Sequence, residues 1–192
     1  LSGEVPMAVS LSDEFGTALA RGARTTVGLG AYIFGAATGF PYARFLGLRS
    51  AAERALWRED LDDAEILARE LLELSERYRE DWYYGNALHH GHTLLGRIEL
   101  KRNHLGPAIE HLHESGKTPG SPQLNSFGPS MILALELLEL GEKEAILKYL
   151  DLCWEFWRAE ALMTLRGRHP IEAWREAILD GKIPDFGPNL VY

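Results

Sequence analysis

At 192 residues, with 46% apolar and 25% charged side chains, the chain has room for one folded domain and an appendage, and this composition excludes a disordered protein. Its net charge of −8 is uneven: residues 1–50 carry four arginines against three carboxylates, or +1, which leaves −9 on the remainder. So acidic a body repels phosphate backbones and excludes nucleic acid as an expected partner. Cys153 is the single cysteine, so an intrachain disulfide and a CxxC-type metal site are both excluded.

Residues 1–24 read as an N-terminal arm. Residues 25–43, TTVGLGAYIFGAATGFPYA, form the only long stretch without a charge, and Phe-Leu-Gly-Leu follows after Arg44. A helix crossing the hydrocarbon core needs about 20 apolar residues, so residues 25–48 predict a transmembrane anchor helix. Tyr32, Tyr42 and Phe45 are its expected interfacial anchors. Ala31, Gly35 and Gly39 recur every four residues and so predict a packing face for a partner helix in the bilayer. In water each glycine costs a helix about 0.8–1 kcal/mol relative to alanine, whereas lipid removes the competing water. The same residues also fit a Gly-rich buried segment of a soluble domain, or a targeting segment with a small-residue cleavage site near Ala36 and Ala37. Arg21 and Arg24 precede the segment; Arg44, Arg49, Arg54 and Arg58 follow it. The positive-inside rule therefore points the body to the cytoplasm, although large domains cross regardless.

From residue 49 the pattern is helical, and residues 49–181 form the expected body. Ser50 with Glu53 three residues later reads as a capping box. Leu61, Ala64, Ala68, Leu71 and Tyr78, broadened by Leu67 and Leu74, make one apolar stripe; Asp62, Asp63, Glu70, Glu73 and Glu76 lie opposite. A second helix is predicted over residues 82–102 and a third over 106–115, with Pro107 in its first turn and Gly116 at its end. Residues 116–129, GKTPGSPQLNSFGP, predict a long loop, with Leu124 and Phe127 dipping into the core. Helices over residues 129–140, 142–165 and 170–179 follow, and Cys153 falls among the buried positions of the second of these. The tail, residues 182–192, is expected to lie extended over the body.

Leu95-Gly96, Asn103, Leu105, Ala108 and Leu112 resemble a tetratricopeptide repeat, with small residues twelve apart at Gly96 and Ala108. Trp57, Leu61, Ala64, Ala68 and Leu71 look like part of an earlier unit, and Leu133, Ala134, Gly141 and Leu150 like a later one, at a period longer than the family's. The string from Trp82 through GNALHHGH, LLGRIEL and LDLCWEFW is similar to a group of uncharacterised bacterial proteins with such repeats, often exported or membrane-anchored. The resemblance implies an all-α fold of TPR-like antiparallel helix pairs, preceded here by the hydrophobic N-terminal helix. It favours an extracytoplasmic body at a membrane. In that family the first helix of each pair lines the ligand face, which would place His90, Thr93, Arg97 and Lys101 on it as a partner-binding surface.

No catalytic motif of the GxSxG, P-loop, GxGxxG or HExxH kind is present. His89 and His92 are three apart on one helical face, but no third ligand stands at helical spacing, so a metal site is not expected. The expected function is non-catalytic: a single-pass, membrane-anchored helical-repeat accessory subunit or scaffold of a larger assembly. No cofactor or small-molecule substrate is expected, and the partners are other protein subunits. The alternatives are a soluble peptide-binding module and, more remotely, a His-metal enzyme.

Overall fold

The computed structural model describes residues 40–158 and 168–190, together with Gly30 and Ile33. Among the described residues the protein is all-α, with eight helices and no strand. In chain order these are α1 (Pro41–Trp57), α2 (Leu61–Arg77), α3 (Tyr84–Lys101), α4 (Leu105–Gly116), α5 (Pro122–Phe127), α6 (Ile132–Glu139), α7 (Lys143–Trp157) and α8 (Pro170–Leu179), followed by a 3-10 turn at Gly187–Leu190. No described helix is long and apolar enough to cross a membrane. The expected bilayer face, Ala31, Gly35 and Gly39, lies outside the described residues, as do Tyr32 and residues 159–167.

The first helix departs most from the sequence reading. Ser50 is not a cap. α1 starts nine residues earlier, where Pro41 has the backbone angle a first turn needs. Ser50 sits buried in mid-helix, and Glu53 pairs with Arg49 at 2.8 Å instead of closing a capping box. Residues 45–48, expected at the end of the anchor helix, pack into the body: Phe45 and Leu48 have no exposed surface. Phe45 stacks on Tyr78 with centroids 4.9 Å apart and meets Tyr83 edge-on at 5.4 Å. Tyr42 donates to Asp81 at 2.9 Å. These two aromatics therefore close over the α2–α3 connection. The physical reason is spacing. Phe45, Leu48, Ala52 and Ala55 form one apolar stripe, while Arg44 reaches across to Glu70.

Contacts between neighbouring helices give their directions. Arg44 meets Glu70 and Arg58 meets Asp63, so α1 and α2 are antiparallel. His92 meets His111 and His89 meets Ser115, so α3 and α4 are antiparallel as well. By contrast, α1 and α3 run parallel, with Phe45 beside Tyr83 and Arg49 beside His90. The α1–α2, α3–α4 and α6–α7 turns share one geometry. Glu59, Asn103 and Gly141 each take a positive φ, of 63°, 63° and 93°. In each, the next residue's N–H returns to a carbonyl five residues back: Asp60 to Ala55, His104 to Glu99, Glu142 to Leu137. This is the Schellman ending. Only Gly141 adopts it without a Cβ penalty.

Two core clusters result. One is built by α1, α2 and α3 around Phe45, Leu56, Leu71 and Ile98. The other is built by α4, α6, α7, α8 and the tail around Leu112, Tyr149, Trp157 and Phe186. Cys153 lies in the second, where burial pushes its thiol pKa up and keeps it neutral.

The segment between α4 and α6 is more regular than its glycines and prolines suggest. Ser121 caps α5 by accepting from Leu124 N–H at 3.0 Å, and Pro122 opens the helix. Leu124 is buried, but Phe127 is half exposed instead of dipping into the core. The tail ties this segment down. Asn189 donates its amide to Phe127 O at 3.0 Å and to Pro129 O at 2.8 Å, and its carbonyl accepts from Met131 N–H at 2.8 Å. Phe186 is buried edge-on against Trp174, whose indole donates to Asp185 O at 3.1 Å.

Candidate functional site

The histidines of GNALHHGH separate into distinct roles once α3 is packed. His89 is fully buried; its Nδ1 donates to Ser115 O at 3.1 Å and its Nε2 accepts from Ser130 N–H at 3.0 Å. Burial lowers its pKa to about 4, which keeps the ring neutral, and the Ser115 carbonyl and Ser130 N–H fix this tautomer. Both nitrogens are engaged, so His89 ties α3 to α4 and to the strap before α6. His92 faces His111, with their Nδ1 atoms 3.1 Å apart. One ring donates to the other. Burial, followed by mutual repulsion of charge, lowers His92 to about 4. No three His, Cys, Asp or Glu side chains converge on a metal-sized site among the described residues.

The four residues expected on a partner face go to different places. Thr93 is buried and donates to its own helix at His89 O, 2.8 Å away. Arg97 forms a two-pronged bridge to Glu136 of α6, at 2.7 and 3.0 Å. Lys101 stands 4.0 Å from Glu59. His90 lines an open cleft.

That cleft, of about 490 Å³, forms where α1, α3, α5 and the tail meet. Its polar wall is Arg49, Asn86, His90 and Gln123; its apolar wall is Leu124, Phe127 and Pro188. The α3 backbone can approach the loop so closely because Gly85 lacks a side chain: a Cβ there would overlap the Gly120 carbonyl. Thr118 closes this junction by donating to Gly85 O at 2.9 Å.

The polar wall is an ordered network. Arg49 donates from Nε to Glu53 and from Nη1 to His90 Nε2, each at 2.8 Å. A guanidinium can only donate, so His90 carries its proton on Nδ1. Burial, and then the positive charge of Arg49, hold the His90 pKa well below the usual range and keep the ring neutral. Asn86 is almost completely buried between Ser121 and Gln123. Ser121 Oγ accepts from Leu124 N–H, so its own hydrogen goes to Asn86 Oδ1 at 2.9 Å. Asn86 Nδ2 then donates to Gln123 Oε1 at 2.8 Å. Turning both amides over would leave the buried Ser121 hydroxyl hydrogen without an acceptor.

Sequence reasoning found His90 and the loop but missed Arg49, Asn86, Gln123 and Pro188. The available signal was Asn86 at helical spacing with His90 and Thr93, a polar line on one face of the helix. The remaining residues converge only through tertiary packing. Comparison with family models, with curated proteins and with solved structures finds no match to this chain.

Proposed function

We propose that the protein is a non-catalytic interaction protein: a rigid body of tetratricopeptide-like helix pairs that holds a partner in place, as an accessory subunit or scaffold at a membrane. The observation that supports this reading is a recurring turn geometry. The same left-handed turn joins α1 to α2, α3 to α4 and α6 to α7, and α1 and α3 lie side by side in parallel. Gly96 supports the family resemblance, because a Cβ there would press on Leu133 and approach the Ala108 backbone, where the resemblance expects small residues. The charged and imidazole groups support a scaffold role, since they tie helices to one another. Arg102, at the end of α3, holds Asp62 and Glu65 of α2, Arg97 holds Glu136, and His113 of α4 meets the Ala145 carbonyl of α7 at 3.0 Å.

The membrane part of the proposal rests on residues 25–43 of the sequence. α1 starts at Pro41, inside that segment, so an anchor there would join the body without a linker. A chain starting at Phe40 keeps all of α1 and is expected to stay folded in the aqueous fraction, with the full chain in the membrane fraction. Recovery of the full chain in the aqueous wash would sink the anchor. A mild-detergent pull-down of the native protein identifies the partner. The double substitution Gly35→Leu with Gly39→Leu is expected to release it, and unchanged association would remove the packing face from the proposal.

A further inference from the structure

Several donors of the network around the cleft have no acceptor among the described residues. They include His90 Nδ1–H, the Gln123 amide NH2 and the remaining Arg49 guanidinium hydrogens. No lining residue is a carboxylate. The rest of the lining is apolar, Leu124, Phe127 and Pro188, with Phe127 half exposed. A group with several acceptor lone pairs and one negative charge satisfies the polar side, and an apolar body covers the other. Glu53 already offsets part of the Arg49 charge, so the site suits a monoanion better than a phosphate dianion. A volume of about 490 Å³ matches a small molecule.

We propose that the cleft bounded by Arg49, His90, Gln123 and Phe127 binds a small organic carboxylate with an aromatic or branched aliphatic body. The carboxylate takes hydrogen bonds from Arg49, His90 and Gln123, and the body lies on Phe127 and Pro188. This site is independent of the membrane partner: a pull-down can fail while the ligand binds, and the reverse.

The test is calorimetric titration of the purified full chain with phenylacetate and with 4-methylpentanoate. Phenylacetamide and inorganic phosphate serve as controls. Saturable binding of at least one carboxylate at one site is expected, with the amide weaker by about tenfold or more, as the loss of a charge-assisted bond implies. Arg49→Gln and Gln123→Glu should each weaken the carboxylate by about tenfold or more. Gln123→Glu keeps the acceptor that Asn86 uses and replaces only the outward donor. Because residue 123 is exposed, this variant decides the matter even where Arg49→Gln fails to fold. No saturable carboxylate binding up to about 10 mM would overturn the proposal. So would an amide or phosphate that binds as well as the acids, or a Gln123→Glu protein with unchanged affinity.

Discussion

Replacing His89 by leucine tests how the centre of the body is held together. Leucine removes a donor from Ser115 O and an acceptor from Ser130 N–H, both in buried surroundings. Each backbone group left without a partner costs about 1–3 kcal/mol, so the loss at pH 8 should be about 2–6 kcal/mol. The pH dependence gives an independent reading. Burial lowers His89 from 6.5 to about 4, so the unfolded chain binds more protons than the native one below pH 6.5. The stability it supports is complete above pH 6.5 and is lost as pH falls toward about 4. At pH 5 the wild type should have lost about 2 kcal/mol through this group alone. Leucine cannot titrate, so the gap between the two proteins should narrow by that amount between pH 8 and pH 5. Urea denaturation at both pH values measures this. A gap below about 1 kcal/mol at pH 8, or a gap that does not change with pH, would refute the assigned bonds and tautomer.

Gly85→Ala forces a methyl against the Gly120 carbonyl and should destabilise the body by about 1–3 kcal/mol in urea unfolding, with faster amide exchange across residues 117–121. Glu59→Gly relieves a non-glycine residue at φ 63° and should raise stability by about 0.5–1 kcal/mol; a lower melting temperature would contradict the strain. A double-mutant cycle with Arg97→Met and Glu136→Met should give a coupling of about 1–3 kcal/mol, since the bridge is two-pronged and Arg97 is largely buried; a coupling near zero would reduce it to a surface contact.

The helix pairs were legible because their periodicity is local. The Leu61–Ala64–Ala68–Leu71 stripe needs nothing beyond its own spacing, and Gly141 and Asn103 mark their turns by residue type. α1 was misread because hydropathy averages over a window. Phe45 and Leu48 score alike in lipid and in a protein core, and only their contacts with Tyr78 and Tyr83 separate the two. α5 was missed because six residues hold too little pattern, although Ser121 before Pro122 is a helix-start signal. The polar face expected on α3 was read by helical register alone. Register cannot show that Glu136 would reach Arg97 or that Thr93 would turn back to its own backbone. The cleft combines residues from far-apart segments, so no local pattern encodes it.

The cleft joins Arg49, near the start of the described body, to Pro188, near its end. During synthesis the α1–α4 hairpins can pack early, because their contacts are close in sequence and N-terminal units fold first. Pro188 and the Asn189 tether leave the ribosome long afterwards. Until they arrive, Arg49 and His90 face water with their apolar wall incomplete. Ligand capture would then report that the segment carrying Pro188 has docked, and cutting the chain just before that segment would silence it without unfolding the hairpins.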